Sequence, residues 1–498
     1  MFTLTHWIDG HDAVFDTTTQ PIVNPATGQE IGTLALADAE VVDAAVRGAS
    51  AAQAAWGATS LAKRMEVLFA FRHLLVEHTD ALAAIISTEH GKTIPDAAGE
   101  IARGRESVDF ACGIASALKG DFSANVSTGV DVHSIRQPLG VVAGIPPFNF
   151  PAMVPMWMHP IAIACGNAFI LKPSERDPSA SNYVAKLYQK AGLPDGVFQV
   201  VHGGKLAVDA ILTHPGISAV SFVGSTPIAS YVQQTGIAAG KRVQALGGAN
   251  NHAVVMPDAD ISFAAAQIAA GAFGSAGERC MAVPVAVAVG DAAEPLITAL
   301  TSEAKAVQVG PGDDPATGMG PLITSASRQR VLDFIGEAVE GGAELVVDGR
   351  DLVVEGHEEG FFVGPSILRR VAPHLRAYCD EVFGPLLVVM EVDTLDDALA
   401  LVNASPYGNG TAIFTSSGES ARIFTEQVTV GMVGVNVPIP VPVGYYSFGG
   451  WKNSLFGDHH AHGPEAVRFY TRMKAITTRW PHHQQRAGGA SLNFPGHT

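Results

Sequence analysis

The chain has 498 residues, 47% hydrophobic and only 16% charged, with 53 glycines and a formal net charge of -17. That length calls for two or three domains with sizeable cores, and an acidic chain with no basic run of five or more residues argues against nucleic acid as a partner. The four cysteines lie far apart with no C-x-x-C pair, which argues against a disulfide scaffold and a structural zinc site, and no metal is expected.

Met1–Asp9 carries no positive region followed by an apolar run, so no secretory signal is visible. From Asp38 to about Leu118 apolar residues recur at three- and four-residue spacings, which predicts helices. Gly120–Ile135 loses that period and alternates weakly, as a hairpin would. The most apolar stretch, Phe150–Leu171, is broken by Pro151, Pro155, His159, Pro160 and Asn167 and is not a membrane span. The cytoplasm is the default location.

Short apolar runs at Val141–Ile145, Ala168–Leu171, Phe198–Val201, Ala219–Val223 and Val243–Leu246 predict strands. Pro178–Ala191 and Thr226–Thr235 predict the helices between them, the second stopped by Gly236. This alternation means a parallel sheet with helices on both faces. A second α/β region runs from about Asn251 to Val430, with segments such as Val283–Val289, Arg328–Gly341 and Ala412–Phe414. The polar tail Pro481–Thr498, rich in glycine and histidine, reads as a terminal extension.

Four short segments carry candidate chemistry. In F-G-S-A-G-E-R-C-M, Gly274 and Gly277 break an alanine-rich helix just before Cys280, and Arg279 is an adjacent cation that favours the thiolate. A buried, inert cysteine is the plainer reading. In F-V-G-S-T-P-I-A, Gly224 and Ser225 lie where a strand feeds a helix, whose free N–H groups suit a phosphate. An ordinary strand–helix turn looks the same. In I-L-K-P-S-E, Lys172 and Glu175 are placed to hold the hydroxyls of an adenosine ribose, and the acid would repel a 2′-phosphate; a solvated turn is the alternative. In P-F-N-F-P, Asn149 sits between two aromatics, either as an oxyanion donor or as a turn residue.

Together with E-V-F-G-P (Glu381–Pro385) and F-G-G-W-K (Phe448–Lys452), these segments occur in the order and spacing of the aldehyde dehydrogenase superfamily. The chain resembles that family from about Trp7 to Trp480. Four longer stretches, Phe148–Pro155, Ala164–Arg176, Ser405–Thr415 and Gly434–Pro442, resemble its CoA-acylating methylmalonate-semialdehyde dehydrogenase branch. The resemblance implies an α/β fold in three parts. A Rossmann-like NAD-binding domain would comprise 1–119 and 140–250, with 431–466 returning to it. A catalytic domain would cover 251–430, and a β oligomerisation arm 120–139 with 467–498. A homodimer or homotetramer is implied.

By resemblance, Cys280 is the nucleophile, and Asn149 with the Cys280 N–H holds the oxyanion. Pro146, Phe148, Lys172, Glu175, Arg176, Gly224, Ser225, Gly247, Glu381 and Phe383 would contact NAD, the last two near the nicotinamide ribose. Arg103 and Arg279 would bind a substrate carboxylate, a charge-assisted interaction of roughly 1.5–3 kcal/mol. Hydrolytic members use a glutamate in E-L-G-G to activate water. Here Q-A-L-G-G-A-N-N (Gln244–Asn251) puts Ala245 or Leu246 at that position. General-base help is worth roughly 10²–10⁴-fold, so the thiol of coenzyme A is the expected acceptor of the acyl group. The expected activity is NAD-dependent oxidation of methylmalonate or malonate semialdehyde to propanoyl-CoA or acetyl-CoA with loss of CO₂.

Three positions depart from the branch: Glu278 where glutamine is usual, Asn250 where lysine is usual, and the general-superfamily form of Phe448–Asn453. Glu278 would oppose the thiolate unless Arg279 offsets it. A dehydrogenase releasing a free acid and a non-catalytic NAD-binding protein on the same fold stay open as alternatives.

Overall fold

Strands that read as continuous apolar runs need cover on both faces, and five of them have it. Val141–Ile145, Ala168–Leu171, Phe198–Val200, Ile217–Val223 and Arg242–Leu246 are almost wholly buried. In the computed structural model, which describes residues 2–480, they pair in parallel. Their spatial order is Arg242–Leu246, Ile217–Val223, Val141–Ile145, Ala168–Leu171, Phe198–Val200. The first of the five in chain order is therefore central, and the chain winds outward from it in two directions. That reversal leaves a crevice beyond the C-terminal ends of Val141–Ile145 and Ile217–Val223, where open α/β sheets bind ligands.

The intervening helices form as expected, Ser179–Lys190 and Thr226–Ala238 among them. The second runs past Gly236, which was expected to stop it. A Cβ at Gly236 would lie 2.6 Å from Val243 Cγ2, so that glycine permits close helix–strand packing, and Gly240 (φ +76°) lies beyond the end. The helical region after Asp38 resolves into Ala39–Ala58, Leu61–Glu77, Thr79–His90 and Ile94–Cys112. Asp38, Ser60 and Thr93 cap three of them through their side chains. Among the described residues no helix is long and apolar enough to cross a membrane.

A second sheet orders Glu344–Val347, Ser366–Arg369, Leu386–Val392, Val285–Val289, His252–Val255, Gly410–Phe414 and Met432–Val435. It takes in Met432–Val435, beyond the expected limit at residue 430, while Leu455–Phe456 pairs with the first sheet. The expected hairpin is Phe122–Ser127 with Val130–Pro138, and Thr471–Arg479 adds a third, antiparallel strand. Strands Phe2–Leu4, Thr19–Asn24 and Gln29–Ala35 form a small separate sheet. Pro481–Thr498, read as an extension and as part of the arm at 467–498, lies outside the described residues.

Candidate active site

The crevice holds a cavity of about 600 Å³ lined by the turns after three central strands. Pro146 and Phe148 follow the first, Lys172, Glu175 and Arg176 the second, and Gly224 and Ser225 the switch-point strand. Ser225 occupies the N-cap of Thr226–Ala238 without a side-chain cap bond, so the first turn offers N–H groups and the positive dipole end to a ligand. Lys172 Nζ lies 3.2 Å from Glu175 Oε2 and 2.8 Å from the Gly203 carbonyl. Burial opposes the charge on Glu175, but Lys172, the residue's own backbone N–H and Arg176 outweigh it and hold the carboxyl below its usual range. A charged acceptor, a free helix terminus and an elongated cleft fit a dinucleotide.

Past Phe148 the cleft continues into a cavity of about 300 Å³ that reaches Asn149, Gly247, Gly248, Cys280, Glu381 and Phe383. All ten expected cofactor positions line one or both cavities, Gly247, Glu381 and Phe383 at the inner one alone. Ser327 and Arg330 also line the inner cavity. They lie in the first two turns of helix Ser325–Glu340, and no pattern in the sequence marks them as part of a site.

The loop before Cys280 explains its glycines. After helix Ile261–Phe273 the backbone takes three left-handed residues in succession, Ser275 (φ +53°), Ala276 (φ +51°) and Gly277 (φ +73°). Non-glycine residues in that region cost about 1–3 kcal/mol each and persist only where packing over-determines them. A Cβ on Gly277 would stand 2.1 Å from the Gly384 carbonyl oxygen, and one on Gly274 would stand 2.6 Å from the Arg279 guanidinium. The Cys280 carbonyl accepts from Asn251 Nδ2 (3.1 Å) and Asn409 Nδ2 (3.2 Å), which pins the Cys280 backbone. Neither asparagine stood out in the sequence, although Asn409 lies inside a stretch that carries the family resemblance. Asn149 Nδ2 donates to the Glu278 carbonyl at 2.9 Å, and a carboxamide keeps a second hydrogen for a ligand.

The electrostatics correct two expectations. Arg279 pulls the Cys280 thiol toward the thiolate, but burial and the neighbouring Glu381 dominate and push it up to about 12. The resting residue is a thiol. Burial also pushes Glu381 up to about 7, with the Ala249 N–H at 2.9 Å as the main opposing influence. Glu278 is 0% exposed and pushed up to about 8 by burial. It is mostly protonated at neutral pH and does not oppose the thiolate as its acidity suggested.

Arg279 and Arg103 both have partners. Arg279 Nη2 lies 2.7 Å from Asp96 Oδ1, and Arg279 also borders a small cleft beside Cys280. Arg103 bonds Glu106 at 2.6 Å and the carbonyls of Val441 and Pro442 at 3.1 Å each. Neither cavity around the crevice includes Arg103. Ala245 and Leu246 are buried in the strand that precedes Gly247 and carry no acid or base.

The model of the aldehyde dehydrogenase family matches residues 13–476. The chain belongs to that family. The enzyme is 54% identical to a malonate-semialdehyde dehydrogenase of Pseudomonas aeruginosa over 99% of both chains. It is 45% identical to the bovine mitochondrial methylmalonate-semialdehyde/malonate-semialdehyde dehydrogenase (acylating), over 98% of this chain and 88% of that one. A Sinorhizobium meliloti protein solved in complex with NAD superposes with a TM-score of 0.96 at 50% identity, covering 97% of this chain and 99% of that one.

Proposed function

We propose that the enzyme oxidises malonate or methylmalonate semialdehyde and transfers the resulting acyl group from Cys280 to coenzyme A, with loss of the carboxylate as CO₂. NAD, when bound, supplies the hydride acceptor. Glu175 and Lys172 would hold its adenosine ribose, Ser225 and the N-terminus of Thr226–Ala238 its pyrophosphate, and Glu381 with Phe383 its nicotinamide end.

The chain's own residues divide the chemistry as follows. Cys280 gives its thiol proton to the Glu381 carboxylate, which lines the same cavity and is poised near neutrality, and attacks the aldehyde carbon as a thiolate, giving a thiohemiacetal whose oxyanion accepts from Asn149 Nδ2 and the Cys280 N–H. Loss of hydride from that carbon leaves a thioester on Cys280. The bond between the carboxylate and the α-carbon breaks to release CO₂, the α-carbon taking up a proton, and, in either order, the thiol of coenzyme A gives up its proton and attacks the thioester carbon while Cys280 leaves as thiolate. Arg279 and Arg103 supply the positive charge for the substrate carboxylate, after exchange of their present partners.

The observation that carries the acyl acceptor is the apolar pair Ala245–Leu246 where hydrolytic relatives place a carboxylate. Without a base there, water is a poor nucleophile, and a thiol needs less help. The names of the similar proteins support the same substrate class. Stopped-flow measurement of NADH tests the reading. A burst is expected with semialdehyde and NAD alone, while steady turnover is expected to require coenzyme A. Equal turnover with and without it would overturn the acylating assignment.

A further inference from the structure

Lys92 and Glu100 form an ion pair at 2.6 Å whose side chains are 0% and 1% exposed. A buried ion pair is a poor source of stability, because desolvation offsets most of the attraction. Its hydrogen bonds are therefore informative, and they converge on one turn. Lys92 Nζ donates to the Asn149 carbonyl at 2.7 Å. Glu100 Oε1 accepts from the N–H groups of Ala152 (2.9 Å) and Met153 (3.1 Å). The Lys92 ammonium also lies 4.4 Å from the centroid of the Phe150 ring. The pair thus grips the backbone of the P-F-N-F-P-A-M turn on both sides of the Asn149 side chain.

The grip is itself anchored. Lys92 follows Gly91, the left-handed C-cap of helix Thr79–His90, and Glu100 sits on helix Ile94–Cys112. A Cβ on Gly312 would stand 2.3 Å from the Lys92 carbonyl oxygen, so the lysine backbone is wedged against a neighbouring loop. From there a chain of contacts runs from Glu100 to Lys92, to the Asn149 backbone, and through Asn149 Nδ2 to the Glu278 carbonyl in the loop of the nucleophile. The two helices thereby fix where the carboxamide points relative to Cys280.

We propose that Lys92 and Glu100 are positioning residues for oxyanion stabilisation, acting through Asn149 and touching neither substrate nor cofactor. The proposal rests on Asn149 being the oxyanion donor. Losing one such donor costs about 10²–10³-fold, and a donor displaced by about 1 Å loses a comparable share.

The test is a double-mutant cycle on the full chain, read as the rate of the NADH burst with semialdehyde and with propanal, without coenzyme A. Asn149→Ala is expected to slow the burst by about 10²–10³-fold. Lys92→Met is expected to slow it by roughly 10–100-fold, with KM for the aldehyde changed less than about threefold. The decisive readout is the double variant, which should match Asn149→Ala alone within about threefold, because Lys92 has nothing left to position. Losses that multiply, or a Lys92→Met burst within twofold of the parent, would overturn the proposal.

If Lys92→Met fails to fold, Glu100→Gln takes its place, since it keeps the Oε1 acceptor and the shape while removing the charge. It should slow the burst about tenfold and be silent in the Asn149→Ala background; a parental rate overturns the proposal. A parental burst in Asn149→Ala itself would remove the oxyanion reading and the proposal with it, whereas the coenzyme A requirement is measured separately in steady turnover.

Discussion

At the outer end of the cleft Glu175 sits 3.2 Å from the Lys172 ammonium and is held charged, whereas at the inner end Glu381 lies beside Cys280 with its carboxyl pushed up to about 7. The same contrast extends to the neighbours. Around Glu175 the cations Lys172 and Arg176 compensate burial, while around Cys280 burial wins and raises both the thiol and Glu278. A group that stays charged binds, because its hydrogen bonds to ligand hydroxyls do not depend on pH near neutrality. Groups poised near or above neutrality exchange protons during a reaction, and pKa values displaced in this way mark sites of chemistry. On the proposed function, one cleft therefore separates a holding end from a reacting end, and the difference comes from where cations are placed.

The backbone repeats that contrast, and its disruption should produce the largest effect. Gly277 has φ +73° and a backbone oxygen 2.1 Å from where a Cβ would stand, so neither the conformation nor the space admits alanine. Gly224, at the outer end, has no such φ, and its Cβ would meet the Phe222 ring, a side chain able to turn aside. Gly277→Ala is expected to slow the NADH burst by about 100-fold or more and to destabilise the chain by roughly 2–4 kcal/mol. Gly224→Ala should change the burst rate less than about tenfold, showing mainly in KM for NAD. Thermal melts and burst rates of the two variants side by side check this, and equal losses would erase the distinction between the two loops.

Which of these features the sequence reveals depends on the range of the interactions behind them. The five parallel strands are local apolar runs, and their order follows from chain winding, so the crevice and the turns that line it are legible. The left-handed run at Ser275–Gly277 is announced only by its glycines; the Gly384 oxygen that demands glycine is about 100 residues away. The third strand of the arm, Thr471–Arg479, pairs with residues more than 330 positions earlier, and its exposed, mixed composition gives no apolar run to find. Lys92 and Glu100 look like ordinary charged residues of a helical region, because burial of a charge pair is a property of the packed helices and not of the local pattern. Arg279 was legible as a cation beside the thiol, but its pairing with Asp96, 183 residues distant, was not.

Glu278 offers a sharper probe of the inner end. Its folded-state carboxyl is pushed up to about 8 from an ordinary 4.5, so the folded protein binds more protons than the unfolded chain between those values. The contribution of this group is complete below about pH 4.5 and is lost as pH rises through 8, the reverse of a salt-bridged acid. Of that contribution, roughly 3 kcal/mol has already been lost by pH 7. Glu278→Gln keeps the shape and removes the titration. Its melting temperature should gain on the parent steadily between pH 5 and pH 8, by the equivalent of about 1–3 kcal/mol. A difference that stays flat across that range would mean that Glu278 is charged and compensated, and that the inner end resembles the outer one.

The smallest expected effect lies at Glu175. Replacing it with glutamine removes the charge that strengthens hydrogen bonds to ribose hydroxyls but leaves a carbonyl acceptor, so about 1–1.5 kcal/mol is at stake. KM for NAD should rise about tenfold. The same change removes the repulsion that a 2′-phosphate would meet, while Lys172 and Arg176 stay in place, so the preference for NAD over NADP should narrow by at least as much. Steady-state kinetics with both cofactors measure this directly. If instead KM for NAD stays put while the burst slows, Glu175 would be acting on the chemical step, and the division of the cleft into holding and reacting ends would fail at the residue that defines its outer half.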